Sequence, residues 1–175
     1  MADARRHRRL DCLLLSVLIG IGSVGLIAPA ANAQEGSRSS AQEAQALVVL
    51  TNRLRGTVGE ANLIVRDDLV GIACEWAEAL RKRGDVQHSP FIADATLYSE
   101  SIGRDWTLAG ENVGSGPDVY AIHGALVGSP LHYKNLVDND FTHVGICVRR
   151  DARGNLFVVE EFLSQRSSKS KRSKR

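Results

Sequence analysis

Three short stretches hold the side-chain types from which proton-transfer, nucleophilic or metal chemistry is built: His88-Ser89-Pro90, Gly110-Glu111-Asn112-Val113-Gly114 and Ser129-Pro130-Leu131-His132-Tyr133-Lys134-Asn135-Leu136. Imidazole and carboxylate groups exchange protons within reach of neutral pH and donate to divalent metals. Two well-marked catalytic patterns are missing. No H-E-x-x-H pair occurs, and no serine stands in a nucleophile elbow, since Gly114-Ser115-Gly116 reads more simply as a flexible loop. His123, on an expected helix over 118–127, and His143, near the start of an expected strand, have plain explanations in solvent contact or a local hydrogen bond. Glu160 and Glu161 are neighbours on an expected strand, so they point to opposite faces and cannot form a dyad with each other. Structural roles are the expectation for both.

The elements that must carry these groups follow from periodicity. Over 41–55, Ala44, Leu47, Val48, Thr51 and Leu54 recur at three- and four-residue steps, which predicts an amphipathic helix. A second helix is expected over 67–83. It opens on Asp67 and Asp68, places Leu69, Ile72, Ala73, Trp76, Ala77 and Leu80 on one stripe, and ends at Gly84 with Arg81, Lys82 and Arg83 in its last turn. The stretches 142–150 and 155–163 are rich in Val, Ile and Phe and flank a turn at 151–154, which predicts a closing antiparallel hairpin. Helices first, a glycine-rich centre and a hairpin last imply an α+β layered domain.

The chain has 175 residues, enough for one ordinary domain. Its first 33 residues have the layout of a secretory signal: Arg5, Arg6, Arg8 and Arg9, an apolar run over 13–28, then Ala31-Asn32-Ala33 with cleavage expected after Ala33. An uncleaved anchor is the competing reading, and Gly20, Gly22, Gly25 and Pro29 interrupt the run against it. Cys12 precedes the run, the wrong side for lipid attachment. Residues 34–40 are expected to be a linker, 41–165 the domain, and 166–175 a basic disordered tail. Of the +2 formal charge, the leader supplies +2 and the tail +6, which leaves −6 on residues 34–165. A nucleic-acid-binding domain needs a basic face of its own, so that partner is not expected. The tail suits an anionic surface, such as a cell-wall polymer or lipid headgroups, or no partner at all.

The three stretches, in this order and followed by Phe141-Thr142-His143-Val144-Gly145-Ile146, resemble the bacterial branch of the CAP (SCP-like) superfamily, which includes the cysteine-rich secretory proteins, venom allergens and plant pathogenesis-related proteins. The resemblance covers nearly all of 41–163. It implies an α-β-α sandwich with a central, largely antiparallel sheet flanked by helices, and a surface cleft where two histidines and two acids converge. Carried onto this sequence, the first histidine is His88, the Gly-Glu-Asn acid is Glu111 and the second histidine is His132. The fourth cleft position, often acidic, is Ser129, and a tryptophan usual three residues earlier is Leu126.

Some relatives hold a divalent metal in this cleft, so zinc or a similar cation on His88 and His132, with Glu111 as base for a bound water, is one expectation. Three function classes remain open. They are a secreted or cell-envelope binding module for a small apolar or lipid ligand, a cell-wall component or a partner protein; a metal-dependent, peptidase-like hydrolase; and a structural envelope protein. Removal of the leader leaves Cys74 and Cys147, which either form a disulfide between the second helix and the hairpin or stay as separately buried thiols.

Overall fold

A computed structural model describes residues 30–165, with side chains from Ser40 onward. The expected signal peptide and tail therefore lie largely outside the described residues. In chain order the elements are α1 (Ala30–Val58), β1 (Ile64–Val65), α2 (Asp67–Arg83), α3 (Pro90–Ala93), α4 (Ala95–Ile102), β2 (Trp106–Gly116), α5 (Val119–Gly128), α6 (Pro130–Val137), β3 (His143–Arg150) and β4 (Leu156–Gln165). Helix α1 begins upstream of the expected position, through the stretch 34–40 that reads as linker. The Gln34, Glu35 and Arg38 of that stretch are good helix formers and offset Gly36.

The sheet has the order β1-β3-β4-β2. Strand β1 runs parallel to β3, whereas β3–β4 and β2–β4 are antiparallel. This is the α+β sandwich expected from the sequence, with helices on both faces. On one face Val158 and Phe162 of β4 pack with Leu47 of α1, Ile122 and Leu126 of α5 and Leu136 of α6. Alternate side chains turn the other way, where Phe157 and Val159 meet Ala73, Ala77 and Leu80 of α2, and Leu163 meets Tyr98 and Ile102 of α4. The period-two alternation of the strand thus divides a continuous apolar run between two cores.

Close packing explains glycines that the sequence suggests are loop. A Cβ at Gly110 would lie 2.7 Å from the Phe141 ring, and one at Gly116 would lie 3.0 Å from Ile122. These positions are strand because neighbours press against the bare backbone, and Gly114-Ser115-Gly116 is the end of β2 rather than a flexible loop. At Gly145 any Cβ would collide with the Leu69 backbone, so α2 lies directly on β3. Two residues along β3, Cys147 meets Cys74 of α2 with a Cα–Cα distance of 4.9 Å, and the two form a disulfide. The alternative of two separate thiols is therefore set aside.

The opposite face is fastened by hydrogen bonds. Arg55, near the end of α1, is 1% exposed. It donates to the carbonyls of Ala61, Leu136, Asp138 and Phe141 at 2.7 to 3.3 Å. A guanidinium has five N–H groups in a fixed fork, and here it gathers the end of α6, both ends of the α6–β3 loop and the α1–β1 loop onto α1.

Candidate functional site

Strand β2 is an edge strand, and two adjacent residues on it, Glu111 and Asn112, point to opposite faces. Each organises one histidine. On the α2 face, Glu111 Oε1 lies 2.7 Å from His88 Nδ1 and accepts from the Ser89 N–H at 3.0 Å. The His88 side chain is 58% exposed and that of Glu111 is 0% exposed. The carboxylate thus holds the ring from beneath by one nitrogen and leaves the other side of the imidazole toward solvent.

Local structure fixes the loop that carries His88. Trp76 Nε1 donates to the Gln87 carbonyl at 2.9 Å, immediately before the histidine. Immediately after it, the Ser89 hydroxyl accepts from the Ile92 N–H and caps α3, with Pro90 in the first turn. The His-Ser-Pro triplet is therefore a helix start whose first residue stands on a buried acid.

On the other face, Asn112 holds α6. Its Nδ2 donates to the His132 carbonyl at 3.3 Å and to Glu160 Oε2 at 3.1 Å, and its Oδ1 accepts from Asn135 Nδ2 at 3.0 Å. Asn135 Nδ2 also reaches the Glu111 carbonyl at 3.1 Å. These bonds dock α6 against the edge strand and set the height of His132. The His132 ring is half-buried, and its pKa is lowered by burial and further by the nearby His88. Ser129 is the N-terminal flanking residue of α6 and makes no side-chain cap bond.

Two buried acids on β4 complete the arrangement. In the register of β2 and β4, Glu111 faces Glu161 and Asn112 faces Glu160. Burial, and then the adjacent Glu111, push the Glu161 carboxyl well above its ordinary range. Two carboxyls facing each other in a dry layer resist ionising together, so Glu161 holds its proton more tightly than a free acid does. Tyr98 Oη lies 3.5 Å from Glu161 Oε2. Its own pKa is raised by burial and by that acid. Across the sheet, burial raises Glu160 to about 7 despite the bond from Asn112. Glu160 and Glu161 do point to opposite faces, as the sequence implies, but Glu161 has Glu111 as a cross-strand partner. Recognising that partner requires knowing that 106–116 is a strand.

The metal expected on His88 and His132 does not survive this geometry. Among the described residues no group of three or more His, Cys, Asp or Glu side chains is placed to hold an ion. The reason is the direction of Glu111. Its oxygens are turned inward to His88, Ser89 and the β4 acid, Ser129 supplies no carboxylate, and two imidazoles remain without a third donor. Glu111 is also too buried to touch a ligand, so its influence outward passes through His88. The other histidines stand elsewhere: His123 is half-buried on α5 with its pKa lowered by burial, and His143 shares a hydrogen bond with Thr142 Oγ1.

The overall arrangement matches solved structures. An outer surface protein of Borrelia burgdorferi superposes with a TM-score of 0.65 at 20% identity, over 71% of this chain and 94% of that one. An extracellular protein containing an SCP domain from Bacillus anthracis gives 0.66 at 21% identity, over 75% of this chain and 43% of that one. A cysteine-rich secretory protein of Staphylococcus aureus gives 0.60 at 20% identity, over 72% of this chain and 39% of that one. At these identities the likeness is one of fold. No curated protein sequence matches the chain. The family model described as CAP, the cysteine-rich secretory protein family, matches residues 48–162, which span the His88 loop, the Glu111-Asn112 strand and α6, and the chain belongs to that family.

Proposed function

We propose that this chain is an exported binding module whose recognition surface is the edge of β2, where His88 and His132 stand beside each other, and whose ligand is a small lipid-like component of the cell envelope. The observation that carries this reading is a polar edge with an apolar shoulder. The carboxylate is hidden beneath His88, the imidazoles offer hydrogen bonds, and Leu131, next to His132, is 80% exposed. An exposed leucine on the same helix turn as a polar imidazole suits a molecule with a polar head and an apolar body. The leader and its small-residue cleavage site support export, and similar solved structures are of outer-surface, extracellular and secretory proteins. In this reading the basic residues 166–175 hold the module near an anionic surface.

The test is capture of envelope lipids by the exported chain, read by mass spectrometry of what co-purifies and by a lipid-binding titration. His88→Ala and Leu131→Ser should each weaken binding by about tenfold, the loss of one charge-free hydrogen bond or one buried side chain, while leaving the fold intact. Binding that both variants leave unchanged, or an exported chain that takes up no lipid, overturns the proposal. Export itself is checked by sequencing the mature N-terminus, which should begin at Gln34.

A further inference from the structure

Residues 34–165 carry twelve cationic side chains against eighteen acidic ones, and six of the twelve lie in two short stretches, 81–83 and 149–153. Helix α2 runs along β3, so the end of the helix and the β3–β4 turn come together at one end of the domain. Between them lies a cleft of about 820 Å³, lined by Arg81, Lys82, Arg83, Arg153, Ser115 and Asp151 among others. It is separate from the histidine edge. Ser115 stands four residues beyond Glu111 on β2, roughly 13 Å away at strand rise.

Not every charge there is free. Arg81 is held by Glu78 through two bonds of 2.8 and 2.7 Å, and Arg83 lies 3.4 Å from Asp85 with its guanidinium over the Trp76 ring. Asp151, the acid of the cleft, is turned toward its own turn, keeps its negative charge and lies within electrostatic reach of Arg153. Its Oδ1 accepts from the backbone N–H groups of Arg153 and Asn155 at 2.9 Å. Two cations face outward without a close ion pair, Arg153 sensing Asp151 only at a distance. Lys82 is 67% exposed with one long contact to Glu78 at 3.5 Å, and the exposed Arg153 guanidinium makes no ion pair among the described residues. Cations in the last turn of α2 complement the helix dipole, which accounts for residues 81–83. It does not account for Arg153, which comes from a different element and closes the cleft from the other side.

We propose that this cleft binds a phosphate group carried on a small polyol or sugar unit. A phosphate presents several acceptor oxygens and up to two charges, which suits cations converging from two elements together with the Ser115 hydroxyl, whereas a carboxylate is satisfied by one guanidinium. The volume lies in the range of small-ligand sites and leaves room for the unit that bears the phosphate. Envelope phosphates come as soluble polyol or sugar phosphates and as anionic lipid headgroups, and the chemistry recognised is the same.

The experiment is a residue-resolved NMR titration of the exported chain, with residues 166–175 intact, using glycerol phosphate as probe and acetate as control. Saturable shifts at residues 81–84, 115–116 and 153, weakened about tenfold in Lys82→Gln/Arg153→Gln and by raised salt, are the expected result. Both substitutions are on the surface, and an unchanged melting temperature confirms the variant is folded. Co-sedimentation with phosphatidylglycerol vesicles, against phosphatidylcholine vesicles, then assigns the source. Loss of vesicle binding in the double variant makes it a headgroup, and vesicle binding that ignores the variant alongside intact cleft shifts makes it a soluble phosphate. Shifts confined to 166–175, equal response to acetate, or no saturation by glycerol phosphate overturns the proposal.

Discussion

The two faces of the β2–β4 ladder solve the same problem differently. On the α2 face, Glu111 looks across at Glu161, a buried acid whose pKa is raised by burial and by that neighbour, and the product is a histidine held from below by a carboxylate. On the α6 face, one residue further along, Asn112 looks across at Glu160, an amide beside an acid, and the product is a helix held in place so that its histidine reaches the same edge. The first device orients a ring directly. The second positions a whole element and lets the ring follow. The means of attachment differ too: α2 is tied to β3 by the Cys74–Cys147 bond and the close contact at Gly145, whereas α6 depends on the hydrogen bonds of Asn112 and Arg55.

Breaking the covalent tie should have the largest effect. Cys74→Ala/Cys147→Ala releases a loop closed by a sequence separation of 73 residues, and on the chain-entropy model stability falls by about 4 kcal/mol. Denaturant titration of the oxidised protein and the double variant measures this directly. Because the disulfide lies away from Asn112, the His132 environment should be retained in the folded fraction.

Removing the amide should come next. Asn112→Ala takes away the donor to the His132 carbonyl and to Glu160, and the acceptor for Asn135. Leaving such groups buried and unpaired costs about 3 kcal/mol. Chemical denaturation gives the loss, and hydrogen exchange should rise in α6 before it rises in α2. Uniform loosening of both helices would show that the faces are not independent.

A smaller change, opposite in sign, is expected for Glu160→Gln. The buried acid has a pKa raised from 4.5 to about 7, so the folded state binds more protons than the unfolded state across that interval. Stability contributed by this group is then fully present below about pH 4.5 and declines as pH rises toward 7. An uncharged glutamine removes the decline, so the variant should be more stable than the parent above neutral pH by about 2 kcal/mol, less than the full linkage because its amide lacks a partner for one donor. Melting temperature followed from pH 4 to 8 gives the crossing of the two curves.

Much of this architecture is legible in the sequence, and what is not has a physical cause. The stripe of Leu69, Ile72, Ala73, Trp76, Ala77 and Leu80 announces α2; all but Trp76 are buried, and Trp76 is half-buried. The β-rich runs announce β3 and β4. Strand β2 is hidden because Gly110, Gly114 and Gly116 have no side chain to show which face they press, and only Phe141 and Ile122 reveal it. Helices α3, α4 and α6 are too short for periodicity, and their starts rest on Ser89, Asp94 and Pro130. Of the three cleft residues, Glu111 touches His88 directly, and His132 is near enough to His88 for that ring to lower its pKa. The metal expectation follows from the family resemblance together with residue types, but neither says that Glu111 turns inward, and Glu161 is matched to it only once the register is known. Arg55 gave no signal beyond a cation at the end of an apolar stripe.

The central claim is that Glu111 governs His88 and Asn112 governs His132, each through its own face. Nitrogen-15 NMR of the two imidazoles, followed through a pH titration in the parent, Glu111→Gln and Asn112→Ala, tests it most directly. In the parent, His88 should show a hydrogen-bonded Nδ1, and His132 should titrate below the ordinary value of 6.5, as its burial requires. Glu111→Gln should move the His88 nitrogen and leave the His132 carbonyl contact in place, while Asn112→Ala should shift the His132 midpoint toward 6.5 and leave the His88 bond intact. If both substitutions disturb both rings alike, or if His132 titrates above 6.5 in the parent, the division of labour between the faces is wrong.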